Sequence, residues 1–283
     1  MATLGNAVCG FAAMYVASLA AMGVTANASH DQWTQWWARH GFIAAAYLIF
    51  IAMIFDALDG RLARFARHTT DFGGQLDSLA DFGSFGMAPA FLALQIFRHE
   101  MGVMGVNLPV IVSRLIWAIG AIYLSCAALR LARFNVSNEH GEQHHFSFLG
   151  LPSPGAAGTA AGMVLMQQEL ALHDRFEVMD KLALACVWLL PAIVLFTGLL
   201  MVSAIRYPHL VNKYLRGKRS MARLLITLSF LLLIVIAHRY VLALGTLAYA
   251  LSGPLSIAYL KWWPWRRPAP LPPPAGLPEA QAP

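Results

Sequence analysis

The chain has 283 residues, of which 58% are hydrophobic and only 12% charged, about half the charged share of a soluble globular domain. That balance excludes a water-soluble enzyme and predicts a polytopic membrane protein. The net charge of +6 does not signal a nucleic-acid partner, because the excess falls on loops between apolar segments, as the positive-inside rule describes.

Eight apolar segments follow in order. The first, Thr3 to Met22, has no Lys or Arg ahead of it and reads as a retained span rather than a cleaved signal. A wet loop comes next, and its Trp33, Trp36 and Trp37 fit an interfacial aromatic belt. The second span is predicted from Phe42 to Asp59, the third from Phe72 to Phe97 and the fourth from Leu108 to Leu131. Then comes a loop with Glu139, His140, Glu142, His144 and His145, which reads as solvated. The fifth span opens on Pro152, where a proline costs no helix hydrogen bond, and runs to Met166. Its GAAGTAAG run spaces Gly158 and Gly162 four apart, which predicts a close helix contact within the bundle.

The sixth span covers Leu182 to Ile205. Two more, Ala222 to Ala237 and Val241 to Leu260, are separated only by His238, Arg239 and Tyr240, a hairpin too short to hold a domain. Cys9, Cys126 and Cys186 sit singly in apolar segments and read as buried thiols. The expected fold is all-α, a membrane helix bundle of about eight transmembrane helices. Three parts are predicted: a membrane core of residues 1–205, a unit of residues 206–263 made of a basic loop and two additional helices, and a tail of residues 264–283 too rich in proline to build a core.

Between the second and third spans the sequence reads DALDGRLARFARHTTDFGGQLDSLAD. Asp56 and Asp59 are three apart and Asp77 and Asp81 four apart, so each pair shares a helix face, and a turn between the helices lets the two faces meet. Carboxylates so close need a positive charge among them. Hard divalent cations with oxygen ligands are the natural choice. Small residues, Gly60, Ala63 and Gly73, leave room for a close approach, and Arg64 offers a fork suited to phosphate. Asp71 reads as the N-cap of the following helix.

Written as a pattern, the stretch is DxxDGxxAR, eight residues, then GxxxDxxxD. It resembles the signature of the CDP-alcohol phosphatidyltransferases, position for position. The resemblance implies that six of the helices form the catalytic core and that two divalent ions, Mg²⁺ or Mn²⁺, are bound. Asp56, Asp59 and Asp77 would hold metal, and Asp81 would touch the second ion and act as the general base. It also implies that Gly60, Ala63 and Gly73 line the nucleotide pocket, that Arg64 meets the phosphates, and that Thr3 and Asn6 of the first span face the nucleotide. Pairing of the chain as a homodimer is a further implication.

A second constellation, ALRLARFN, ends the fourth span. Arg130 and Arg133 are neighbours on one helix face, and a guanidinium grips a carboxylate or phosphate through two parallel bonds. This run with Asn135, the FLGLPSP run with Ser153, and the extension LADFGSFGMAPA resemble the phosphatidylserine synthase branch of the family, although Phe82 and Gly83 stand where that branch more often carries aliphatic residues. The implied activity is transfer of the phosphatidyl group of CDP-diacylglycerol to L-serine in a lipid membrane. Glycerol 3-phosphate, choline or an inositol phosphate remain open as acceptors. A cationic partner for the serine carboxylate makes sense of Arg130 or Arg133, whereas choline would favour an aromatic cage.

Fourteen of the twenty Lys and Arg residues lie on the side of the aspartate turn, the run from Lys213 to Arg223 among them. The expected location is a bacterial-type inner membrane, with the aspartates and both termini in the cytoplasm.

Overall fold

The computed structural model describes residues 2–22, 32–66, 71–139, 150–172, 177–205, 207 and 221–262, and for 34, 62–66, 71, 137–139, 221–236 and 260–262 it describes the backbone alone. His140, Glu142, His144 and His145, the basic run from Lys213 to Arg219, and the tail of residues 264–283 lie outside the described residues, as do the side chains of Asp71 and Glu139. Among the described residues all regular structure is helical.

Helix α1 (Ala2–Met22) buries Thr3, Asn6, Cys9, Gly10, Ala13, Val16, Ala17 and Ala20, a stripe with steps of three and four. The stripe is made of small side chains, so α1 lies close along α2 (Gln32–Ala66): a Cβ at Gly41 would stand 2.8 Å from that of Ala20. On its other face Val8, Phe11 and Tyr15 are exposed, as are Leu115, Trp117, Trp188 and Leu189 on later helices. A bundle whose outside is this apolar is built for lipid, not water.

Helix α2 begins ten residues before the expected second span and runs seven past Asp59. The wet loop expected around the tryptophans is therefore corrected to helix. Trp36 and Trp37 pack edge to face with centroids 4.7 Å apart and Trp33 meets Trp37 at 5.5 Å, which favours helix over loop, while Trp33 and Trp36 stay exposed.

The expected third span is divided into α3 (Asp71–Asp81), a π-helical turn (Phe82–Met87) and α4 (Ala88–Val103). The Ala88 N–H reaches five residues back to the Gly83 carbonyl. Pro89 has no N–H to offer Phe85, four residues behind it, and the buried Tyr123 hydroxyl of α5 (Val110–Glu139) donates to that carbonyl at 3.0 Å instead.

Helix α6 (Ser153–Ala171) runs through the middle of the bundle, with 14 of its 19 residues buried, in contact with α2, α4, α7 (Glu177–Val202) and α8 (Met221–Trp262). Six of the described helical segments are long and apolar enough to cross a membrane. Helix α6 is not one of these, because Gln167, Gln168 and Glu169 and its three glycines lower its hydropathy; its neighbours, rather than lipid, cover it. The last two expected spans meet inside α8 at Ala237, whose φ of −126° and ψ of 38° leave the helical region. The break thus falls one residue before the predicted hairpin, and His238, Arg239 and Tyr240 begin the second helical segment.

Candidate active site

Asp56 and Asp59 stand near the end of α2, and Asp77 and Asp81 in the second half of α3. One carboxylate oxygen from each of Asp56, Asp77 and Asp81 lies within 4.8 Å of the others. Asp59 lies outside this trio, one turn on from Asp56, and accepts the hydroxyl of Thr3. Asn6 donates its amide to Asp81 Oδ1 at 2.9 Å, and Ser84 of the π turn donates to the Asn6 carbonyl at 2.8 Å. The side chains of Thr3 and Asn6 thus fasten α1 to the aspartates. Gly10 lets the two elements close, since a Cβ there would stand 2.4 Å from Ser84 Oγ.

Asp77 Oδ1 and Asn6 Oδ1 are buried acceptors with no hydrogen-bond partner among the described residues. Each such orphan costs about 1–3 kcal/mol, and three neighbouring carboxylates also repel one another. A hard divalent cation with oxygen ligands would relieve both, so Asp56, Asp77 and Asp81 fit a metal. Beside them a Cβ at Gly60 would meet nothing within 4 Å, so packing does not demand a glycine there. Gly73 is half-buried on the first turn of α3, and the side chains of Ala63 and Arg64 lie outside the described residues.

The two arginines of α5 part company. Arg130 is half-buried, donates from Nη1 to Ser153 Oγ at 2.6 Å and feels the charges of Asp81 and Asp56. Arg133 is exposed. Asn135 accepts a hydrogen bond from Ser78 Oγ at 2.9 Å, which ties α5 to α3 between Asp77 and Asp81.

Ser153 itself is placed by the segment before it. Gly150, at φ 89°, donates its N–H to the Ile205 carbonyl at 2.8 Å, and Leu151 donates to the Leu200 carbonyl at 2.9 Å. A Cβ at Gly150 would stand 2.3 Å from the Met201 carbonyl oxygen, so only glycine fits on both counts. The strap delivers Ser153 to Arg130 with 1% of its surface exposed.

One neighbour of this pair had no signal in the sequence. Tyr249 of α8 lies against Gly155, two residues beyond Ser153, with Arg130 in electrostatic range. Its companion Tyr207 has its phenol pushed up to about 12 by burial and by Tyr249, so it stays protonated and donates to the Ala250 carbonyl at 2.9 Å. Only the tyrosines' seats against the glycines of α6 and Gly253 give them away, and those require coordinates.

An all-helical membrane bundle with clustered aspartates at the meeting of two helices defines a class, and the family model for CDP-alcohol phosphatidyltransferase matches residues 1–199. The chain belongs to that family. Among its relatives, the CDP-diacylglycerol–serine O-phosphatidyltransferase of Helicobacter pylori is 32% identical over 216 residues, covering 76% of this chain and 80% of its own. The enzyme of the same name from Methanocaldococcus jannaschii is 34% identical over 166 residues, 59% of this chain and 64% of its own, and that from Saccharomyces cerevisiae 36% over 138, 46% and 44%.

Proposed function

We propose that the chain transfers the phosphatidyl group of CDP-diacylglycerol to the hydroxyl of L-serine, giving phosphatidylserine and CMP. The observation that carries this reading is the convergence of Asp56, Asp77 and Asp81, with a buried acceptor left over, in a chain that also holds Arg130 against Ser153. The names of the relatives favour serine as acceptor.

Two Mg²⁺ or Mn²⁺ ions, held by Asp56, Asp59, Asp77 and Asp81, would supply charge neutralisation on the pyrophosphate oxygens. The chain's own residues orient the reactants. Asp81, aimed by Asn6, takes the proton of the serine hydroxyl. The freed oxygen bonds to the phosphorus next to the diacylglycerol, and the bond from that phosphorus to CMP breaks with its electron pair leaving on CMP. Arg130 holds the serine carboxylate, and its setting beside Asp81 favours it over the exposed Arg133. Gly60, Ala63 and Gly73 line the nucleotide, and Arg64 meets its phosphates.

The distribution of Lys and Arg supports a site and termini on the cytoplasmic side of a bacterial-type inner membrane. A homodimer is carried by the family resemblance alone.

The test is a membrane assay with CDP-diacylglycerol, labelled L-serine and Mg²⁺ or Mn²⁺. Labelled phosphatidylserine and CMP are expected from the parent chain, with none after chelation and about 10³-fold slower formation by Asp81→Asn. Arg130→Lys is expected to raise the serine KM more than Arg133→Lys does. CMP release with glycerol 3-phosphate, choline or an inositol phosphate, but not with serine, would replace the acceptor and leave the reaction class standing.

A further inference from the structure

The helical segment after Ala237 lies beyond the residues that the family model matches, yet it is seated on the helix that carries Ser153. Three glycines of α6 let it in. A Cβ at Gly155 would stand 2.9 Å from the Tyr249 ring, one at Gly158 3.1 Å from the Thr246 methyl, and one at Gly162 2.8 Å from the Ala243 Cα. The pairing is antiparallel, and the steps of three along α8 put Ala243, Thr246 and Tyr249 on one stripe. Thr159 Oγ1 donates to the Thr246 carbonyl at 3.1 Å and Thr246 Oγ1 to the Gly158 carbonyl at 3.2 Å, which pins the register.

Tyr249 is thereby set on the first turn of α6, two residues from Ser153 and its bond to Arg130. Tyr207 packs against its ring at 5.7 Å. Among the described residues the Tyr249 hydroxyl makes no hydrogen bond, although the side chain is half-buried.

Building on the reading of the chain as a serine-accepting transferase, we propose that Tyr249 is an acceptor-binding residue. Its hydroxyl donates to the carboxylate that Arg130 holds, so a helix outside the family match closes the acceptor subsite. A phenol is well matched to that contact, because it offers one donor, and a ring already packed between Gly155 and Tyr207 loses little freedom when the ligand arrives. A phosphate oxygen of CDP-diacylglycerol offers the same chemistry to the hydroxyl, and kinetics separate the two sources.

Tyr249→Phe keeps the ring and removes the O–H. Steady-state rates of the full chain in lipid–detergent micelles, with serine and CDP-diacylglycerol varied in turn, are expected to show a serine KM raised about tenfold, the loss of one hydrogen bond to a charged group. The CDP-diacylglycerol KM and the melting temperature are expected to stay at the parent's values. A serine KM within twofold of the parent's, or a CDP-diacylglycerol KM that rises as much as the serine KM, overturns the assignment. A parent chain that makes no phosphatidylserine overturns the underlying function first, and that result is read on the wild type alone.

Discussion

Helix α6 has charged chemistry near both ends, and the two ends are built on opposite plans. Near Ser153 lie Asp56, Asp77 and Asp81, three acids in one small space. Sixteen residues along the helix, about 24 Å, Glu169 is matched by Arg239, and Tyr47 stacks on His238 at 5.9 Å beside them. The Glu169 to Arg239 pair holds the second segment of α8 to α6 just after the break at Ala237. At that end the fold neutralises its own charge. At the Ser153 end three acids share the single Arg130, so negative charge is left over for something from outside to neutralise, which is how a buried cluster meant for ligands differs from one meant for stability.

Removing a charge is therefore expected to act oppositely at the two ends. The largest effect belongs to Asp81→Asn, expected to lower the transfer rate about 10³-fold, the scale of a lost general base, while the metal-free protein melts no lower than the parent. A melting temperature that fell with the activity would mean that Asp81 is structural. Next comes Gly150→Ala, expected to cost about 3 kcal/mol from its positive φ and its contact with Met201, and to weaken the Arg130 to Ser153 pairing. Chemical denaturation and the serine KM read the two parts. Asp77→Asn is expected to abolish a metal-induced stabilisation of about 2.7 kcal/mol, the value for a cation at a hundred times its Kd. Thermal melts with and without Mn²⁺ measure it. Smallest is Glu169→Gln, expected to cost about 2 kcal/mol because Arg239 keeps a charge without its partner, with the serine and CDP-diacylglycerol KM values unchanged. A gain in stability there would erase the contrast.

Much of the aspartate corner was legible because its information is local. Asp56 to Asp81 span few residues, and helix periodicity alone turns each pair to one side. The apolar runs were legible for a similar reason, since crossing a bilayer takes a length that can be counted. Their interruptions were not. The π turn depends on Tyr123 taking the carbonyl that Pro89 cannot serve, and the tryptophan segment is helical with Trp33 and Trp37 packed one turn apart.

By itself the amino-acid order determined an all-helical membrane chain, its acidic corner and a small-residue face on α6, because hydropathy, spacing and side-chain size act over a few turns. Tertiary structure alone decided that Thr3 takes Asp59 and Asn6 takes Asp81, that Arg130 rather than Arg133 meets Ser153, and that Tyr249 comes to rest beside them. Those contacts, with Tyr249 seated on Gly155, join residues 23 to 94 apart in the chain. Which of many compatible side chains meet over such distances is settled by how closely the helices can pack, and the glycines of α6 and the strap at Gly150 set that approach.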